Sequence, residues 1–149
     1  MYSVHVKDQR MHFSASHFVR SNGDTENLHG HNYMLGVHIT GPLNDDGMVI
    51  DFRSVKKRSI ELCQTLDHKV ILPGVSETIS VNTSDGFTEV RVAEKQYVFP
   101  EEDCVIIPTK ATTAELLAKH IHDGLGLSGD FNIRVCVEES TGAKGCYEA

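Results

Sequence analysis

The sequence predicts an α+β fold, and three patterns lead to it. Period-2 apolar alternation marks strands at both ends of the chain, at Tyr2, Val4 and Val6 and again at Phe131, Ile133, Val135 and Val137. Two segments carry apolar residues at helical spacing, one after Asp51 and one after Thr112 and Thr113. The resulting order of strand, strand, helix, strands, helix, strand suits a sheet covered on one face by two helices. At 149 residues the chain fits one domain, 1–149, and is long enough to bury a core. It contains no internal repeat, low-complexity segment or interdomain linker.

The opening strand is followed by a second extended run, Met11 to Phe18, and by a turn cluster at Ser21-Asn22-Gly23-Asp24. Asn27 to Thr40 reads as a strand that ends at Gly41-Pro42. Another turn, Asn44-Asp45-Asp46-Gly47, leads into a short apolar strand expected at Met48 to Ile50. Asp51 suits a helix N-cap, because its carboxylate can accept from the free N–H groups of the first turn. Phe52, Val55, Ile60, Cys63 and Leu66 then form the apolar stripe of a helix over 52–65. Asp85-Gly86, flanked by Thr78 to Ser84 and Thr88 to Val92, is a hairpin signal. A short strand is expected at Gln96 to Phe99, and Cys104 to Ile107 is a brief apolar run closed by Pro108. Thr112 or Thr113 caps the second helix, with Leu116, Leu117, His120 and Ile121 on one face and a stop near Gly124. The tail after Gly142 is short enough to pair as an edge strand.

Composition excludes several classes. A formal net charge of −7 argues against a nucleic-acid or anionic-membrane surface. No apolar run approaches a bilayer span, and Met1 to Arg10 lacks the apolar core of a signal peptide. Cys63, Cys104, Cys136 and Cys146 show no CxxC pairing, so reduced thiols in a cytoplasmic protein are expected.

Chemistry concentrates at His29-Gly30-His31. Residues i and i+2 of a strand face the same way, so this pair presents two imidazoles side by side, with His17 on the neighbouring run. Three neutral imidazoles with a fourth position open describe a catalytic zinc site, although a bare H-x-H also occurs as a purely structural pair. Asp67-His68 is a second constellation. It suits proton transfer near neutral pH, and it also suits a plain helix-end cap. Glu139 shares the parity of the apolar positions of its strand, so its carboxylate needs a partner against desolvation.

These residues carry a resemblance. Phe13-Ser14-Ala15-Ser16-His17, Leu28-His29-Gly30-His31-Asn32-Tyr33, Gly47-Met48-Val49-Ile50-Asp51-Phe52, Leu66-Asp67-His68-Lys69, Thr113-Ala114-Glu115 and Val137-Glu138-Glu139-Ser140 stand in the order found in the 6-pyruvoyltetrahydropterin synthase family, which includes the 6-carboxytetrahydropterin synthases of queuosine biosynthesis. The match runs from about Val4 to Tyr147. The resemblance implies a tunnelling fold, a four-stranded antiparallel sheet with two helices on one face. It also implies a homohexamer of two stacked trimers, with neighbouring subunits completing each pocket. By the same resemblance His17, His29 and His31 bind Zn²⁺, Asp67 and His68 form a catalytic dyad, Glu139 anchors the pterin, and Thr113 and Ala114 touch it. A role of Thr113 as a helix cap is compatible with that contact.

Two departures qualify the resemblance. Where synthases of the family carry a catalytic cysteine, four residues before the first histidine of His-Gly-His, this chain has Thr25, whose hydroxyl is far too weak an acid to replace a thiol. Glu26 follows, resembling a branch in which a glutamate is the base and dihydroneopterin is cleaved to 6-hydroxymethyl-dihydropterin for folate synthesis; a solvated loop charge is the plainer alternative. The second departure is an extra hairpin over about 76–100. It could be a harmless surface insertion, cover the pocket or alter subunit contacts. The reading from sequence is a zinc-dependent lyase acting on the side chain of a dihydropterin, most simply the aldolase-type branch with Glu26 as base. The alternatives are a 6-pyruvoyl- or 6-carboxytetrahydropterin synthase using dihydroneopterin triphosphate, and a pterin- or purine-binding homologue without catalysis.

Overall fold

The computed structural model describes residues 1–149. Its centre is a long strand, β5 (His29–Gly41), and the other elements are placed by what pairs with it. β1 (Tyr2–Val6) and β2 (His12–His17) line up one after the other along the same edge of β5, both antiparallel, with Val6 opposite Val37 and His17 opposite His29. A two-stranded ribbon follows, β3 (Arg20–Ser21) and β4 (Asp24–Thr25). After β5 come helix α1 (Phe52–Leu66), β6 (Lys69–Pro73), β7 (Ile79–Ser84), β8 (Phe87–Val92), β9 (Lys95–Pro100), β10 (Cys104–Ile107), helix α2 (Ala114–Gly124), β11 (Asn132–Ser140) and β12 (Ala143–Glu148).

The main sheet has seven strands in the order β10-β6-β2-β5-β11-β12, with β1 also on β5. Its antiparallel part is the expected four-stranded unit if β1 and β2 count as one interrupted strand. β6 and β10 extend it in parallel, so the sheet is mixed rather than purely antiparallel. β6 was not expected as a strand; Ile71, Leu72 and Pro73 are buried in it, and a run this short carries no periodicity to read.

One face of the sheet is apolar and both helices lie on it. Phe13, Ala15, Tyr33, Leu35, Val37, Ile39, Ile133, Val135 and Val137 meet Val55, Cys63 and Leu66 of α1 and Leu117, Ala118 and Ile121 of α2. The helix limits follow local chemistry. Asp51 accepts from the Arg53 N–H at 2.9 Å, and Thr113 caps α2 by accepting from Leu116 N–H. Phe52, expected on the buried stripe of α1, is instead largely exposed.

Two further expectations are corrected. Met48 to Ile50 is not a strand: Asn44 Oδ1 accepts from both the Asp46 and Met48 N–H groups at 3.0 Å, coiling the segment into a turn. Nor are all four cysteines free. Cys136 and Cys146 face each other across β11 and β12 and form a disulfide, leaving Cys63 and Cys104 as thiols. Only strand register brings that pair together.

The extra segment forms its own three-stranded antiparallel sheet, β7-β8-β9. Asp85 and Gly86 both have positive φ (52° and 82°), which suits a two-residue hairpin turn. This sheet packs a second, smaller core of Phe18, Leu72, Ile79, Val90 and Val92.

Truncating the centre of the helix–sheet interface tests this packing. Leu117→Ala, at a side chain with no exposure, is expected to cost about 2–5 kcal/mol in urea unfolding. Thiol titration of the unreduced, denatured protein should count two thiols rather than four.

Candidate metal and substrate site

The site lies where β2 and β5 pair at the edge of the main core. His17 and His29 are direct cross-strand partners, and His31 follows two residues along β5 on the same face. Their ring centroids lie 4.9 Å (His17–His29), 5.3 Å (His17–His31) and 4.8 Å (His29–His31) apart, all edge to face. Two tautomers are fixed by backbone carbonyls, which can only accept. His17 Nδ1 donates to Thr112 O at 2.8 Å and His29 Nδ1 donates to Asn27 O at 2.7 Å. Each ring therefore keeps its lone pair on Nε2, the arrangement a metal-ligating imidazole needs.

Glu139 completes the group. A bulge in the β11–β12 ladder between Glu138 and Ser140 leaves it unpaired. Its Oε1 lies 2.8 Å from His31 Nε2 and 3.8 Å from His17 Nε2. The shorter contact lacks hydrogen-bond alignment, and Nε2 of both His17 and His31 is buried without a hydrogen-bond partner. Ligand atoms of His17, His29, His31 and Glu139 all fall within 4.8 Å of one another. Orphaned, converging lone pairs beside a carboxylate are costly by themselves and are satisfied together by one cation. The residues thus fit a metal ion of the imidazole-binding kind. Burial also lowers the pKa of His17, outweighing the Thr112 hydrogen bond and the Glu139 charge, which keeps the ring neutral and ligand-competent.

Glu26 lies close by in sequence and is held in place. Its N–H donates to Val19 O at 3.0 Å, and its Oε1 accepts from Val19 N–H at 2.8 Å. The carboxylate is thus anchored between the ends of the two histidine strands, with its side chain open to solvent. Thr25 offers no thiol chemistry; its hydroxyl accepts from Arg20 at 2.6 Å. No free cysteine substitutes for it. Cys63 sits on the buried face of α1, where desolvation pushes its thiol up to about 12, and desolvation also raises the pKa of Cys104 on β10.

Asp67 and His68 do pair, with His68 Nδ1 and Asp67 Oδ2 at 2.9 Å. The other carboxylate oxygen accepts from Ser14 N–H at 2.8 Å, the largest cause of the lowered pKa of Asp67. Ser14 is three residues from His17 along β2, roughly 10 Å at strand rise. The dyad is thus set apart from His17 along β2, while Ser14 pairs with Asn32, the neighbour of His31. His68 and His31 both line a cavity of about 540 Å³, together with Ser14, Ser16, Asn32 and Lys69. Thr113 and Ala114 open α2 immediately after the carbonyl that orients His17.

Sequence reasoning missed four contributors. Thr112 and Asn27 orient the rings through main-chain carbonyls, which residue identity does not reveal. Tyr33 lies against His17 and His31, fully buried with its hydroxyl unpartnered, and burial raises its pKa. Gly145 lets β12 pass close to α2: a Cβ there would meet Glu115 N at 2.5 Å and Ala114 C at 2.7 Å.

The sequence profile of the family described as 6-pyruvoyl tetrahydropterin synthase matches residues 7–148. The chain belongs to this family. A 6-carboxy-5,6,7,8-tetrahydropterin synthase of Aquifex aeolicus is 33% identical over 134 residues, covering 82% of this chain and 74% of that protein. A Methanocaldococcus jannaschii protein, provisionally named as the same enzyme, is 33% identical over 145 residues, covering 92% of this chain and 89% of its own. Among solved structures, the Plasmodium falciparum 6-pyruvoyl tetrahydropterin synthase superimposes with a TM-score of 0.92 at 30% identity, covering 99% of this chain and 97% of that one. A Plasmodium vivax 6-pyruvoyltetrahydropterin synthase, described as a variant with a catalytic glutamate replaced by alanine, gives 0.89 at 27% identity, with coverage of 99% and 97%. The α+β tunnelling fold and membership of a family of pterin-acting lyases follow.

Burial also lowers the pKa of His120. In the unfolded chain both His17 and His120 titrate near the ordinary value of 6.5. Below that value the unfolded state binds more protons than the folded state, so stability falls as pH drops. The metal-free protein should therefore melt at a lower temperature at about pH 5 than at about pH 7.5, and calorimetry across that range checks it.

Proposed function

We propose that this protein is a tetrahydropterin synthase-type lyase acting on the side chain of a dihydropterin, with Glu26 as the general base. The observation that carries the proposal is a carboxylate pinned by Val19 beside a converging histidine cluster, in a chain with no thiol at that place. His17, His29 and His31 would hold Zn²⁺. Bound there, zinc supplies Lewis acidity, which makes protons near a ligated hydroxyl or carbonyl oxygen easier to remove. Glu26 takes such a proton through the carboxylate oxygen that Val19 leaves free.

Glu139 is assigned to the pterin. The pterin 2-amino group and neighbouring ring N–H form a two-donor edge, and a carboxylate can accept both bonds. Thr113 and Ala114, at the start of α2, lie beside the pterin in this reading. Asp67 and His68 are assigned to proton relay, serving the site of a neighbouring copy in a hexamer of two trimers.

Two outcomes of the reaction are distinguished by separate observations. The names carried by the relatives favour a 6-carboxy or 6-pyruvoyl product, with dihydroneopterin triphosphate as the substrate in that reading. The carboxylate favours aldolase-type cleavage of the C1′–C2′ bond to 6-hydroxymethyl-dihydropterin. That reaction begins at an O–H, which a carboxylate deprotonates more readily than a C–H. We take the synthase outcome as the first reading and cleavage as the second.

Product analysis of the zinc-loaded protein, offered dihydroneopterin and its triphosphate in parallel, separates them. Loss of triphosphate with a carboxy or pyruvoyl product supports the first, and 6-hydroxymethyl-dihydropterin the second. Absence of product from both would leave a binding homologue. Glu26→Gln is expected to lower kcat by about 10²–10⁴-fold with zinc content unchanged. Wild-type turnover in that variant would show that another group is the base.

A further inference from the structure

The three-stranded sheet β7-β8-β9 meets the site through one face of β9. Lys95, Tyr97 and Phe99 alternate as the half-buried residues of that strand, with Gln96, Val98 and Pro100 exposed between them. The Tyr97 ring stacks on Phe18, with centroids 5.5 Å apart and planes inclined by 27°, and runs parallel to Phe99 at 5.8 Å. Lys95 Nζ donates to Asn27 Oδ1 at 2.7 Å. Phe18 directly follows His17, and Asn27 supplies the carbonyl that orients His29. The two contacts therefore brace both ends of the 18–28 excursion, the segment that carries Glu26.

We propose that Lys95 is a positioning residue for the metal and base site. It acts through Asn27: the ammonium fixes the side-chain amide, and the Asn27 main-chain carbonyl fixes the His29 imidazole. Asn27 needs such an anchor because it is exposed, as are Ser21 to Asp24 and Glu26 around it. A solvated asparagine samples several rotamers and backbone states, so its carbonyl is a loose acceptor. A charge-assisted bond from a lysine seated on a paired strand removes that freedom. Lys95 is itself well placed for this. It sits directly opposite Val92 at the hairpin end, across a turn in which Ala93 has φ of 51°. Val92 is buried in the small core shared with Phe18. The inserted sheet thus holds the catalytic loop as well as covering surface. Partners that orient metal-ligating imidazoles commonly affect metal affinity by 10–100-fold, approximately.

The inference rests on the reading of His17, His29 and His31 as zinc ligands, and its test separates the two. Zinc affinity is measured by chelator competition on the full-length wild type, Lys95→Met and Lys95→Arg, together with the visible spectrum of each after cobalt(II) loading. Lys95→Met keeps the aliphatic stem and removes the donor. It is expected to weaken zinc binding by about 10-fold and shift the cobalt spectrum, while the melting temperature of the metal-free protein stays at the wild-type value. Lys95→Arg, which retains a donor, should restore both properties. A Lys95→Met protein that binds zinc as tightly as wild type overturns the inference and leaves the metal reading intact. A folded wild type that takes up no zinc overturns the metal reading and the inference together.

Discussion

The register of one antiparallel ladder, with His17 opposite His29, is the constraint on which the rest of the structure depends. Side chains alternate along a strand, so a one-residue slip of β2 would send His17 to the other face of the sheet, away from His29 and His31, and Phe13 and Ala15 with it. Register is held from both directions. Phe13 and Ala15 on β2 and Tyr33, Leu35, Val37 and Ile39 on β5 are buried under the helices, and they align only when the histidines also align. The apolar core therefore fixes the polar site: the two share strands and parity, and neither can move alone.

Placing three imidazoles at a core edge carries a desolvation cost, and the structure offsets part of it with main-chain acceptors. Thr112 O and Asn27 O each take an Nδ1–H. One acceptor comes from the segment leading into α2 and the other from an exposed loop. The first is buried and needs no further support. The second is steadied from β9, so the same chemical role demands different amounts of surrounding structure. The inward-facing Nε2 atoms stay unpaired in the protein alone, which is the physical reason the cluster calls for a cation.

The split of roles along the chain also follows from geometry. Glu26 is tied to Val19, beyond the His17 end of β2, whereas Asp67 is tied to Ser14, three residues before His17 on the same strand. Glu139 reaches the cluster because a bulge interrupts β11–β12 pairing where its strand leaves the core.

The sequence by itself determined the α+β class, both helices with the Asp51 cap of the first, the hairpin at Asp85-Gly86 and the histidine trio. Each of these is written in local spacing: a period, a cap or a two-residue turn acts over a few neighbours and needs no distant partner. Tertiary structure alone decided what depends on contacts between remote segments. β6 is a strand because β2 and β10 flank it, and Met48 to Ile50 is not one because Asn44 coils it. Cys136 meets Cys146 through register, Thr112 faces His17 from 95 residues away, and Lys95 reaches Asn27 across 68. Main-chain acceptors and long-range anchors leave no trace in residue type, because any residue supplies a carbonyl and any surface lysine an ammonium; only the folded chain selects which of them is used.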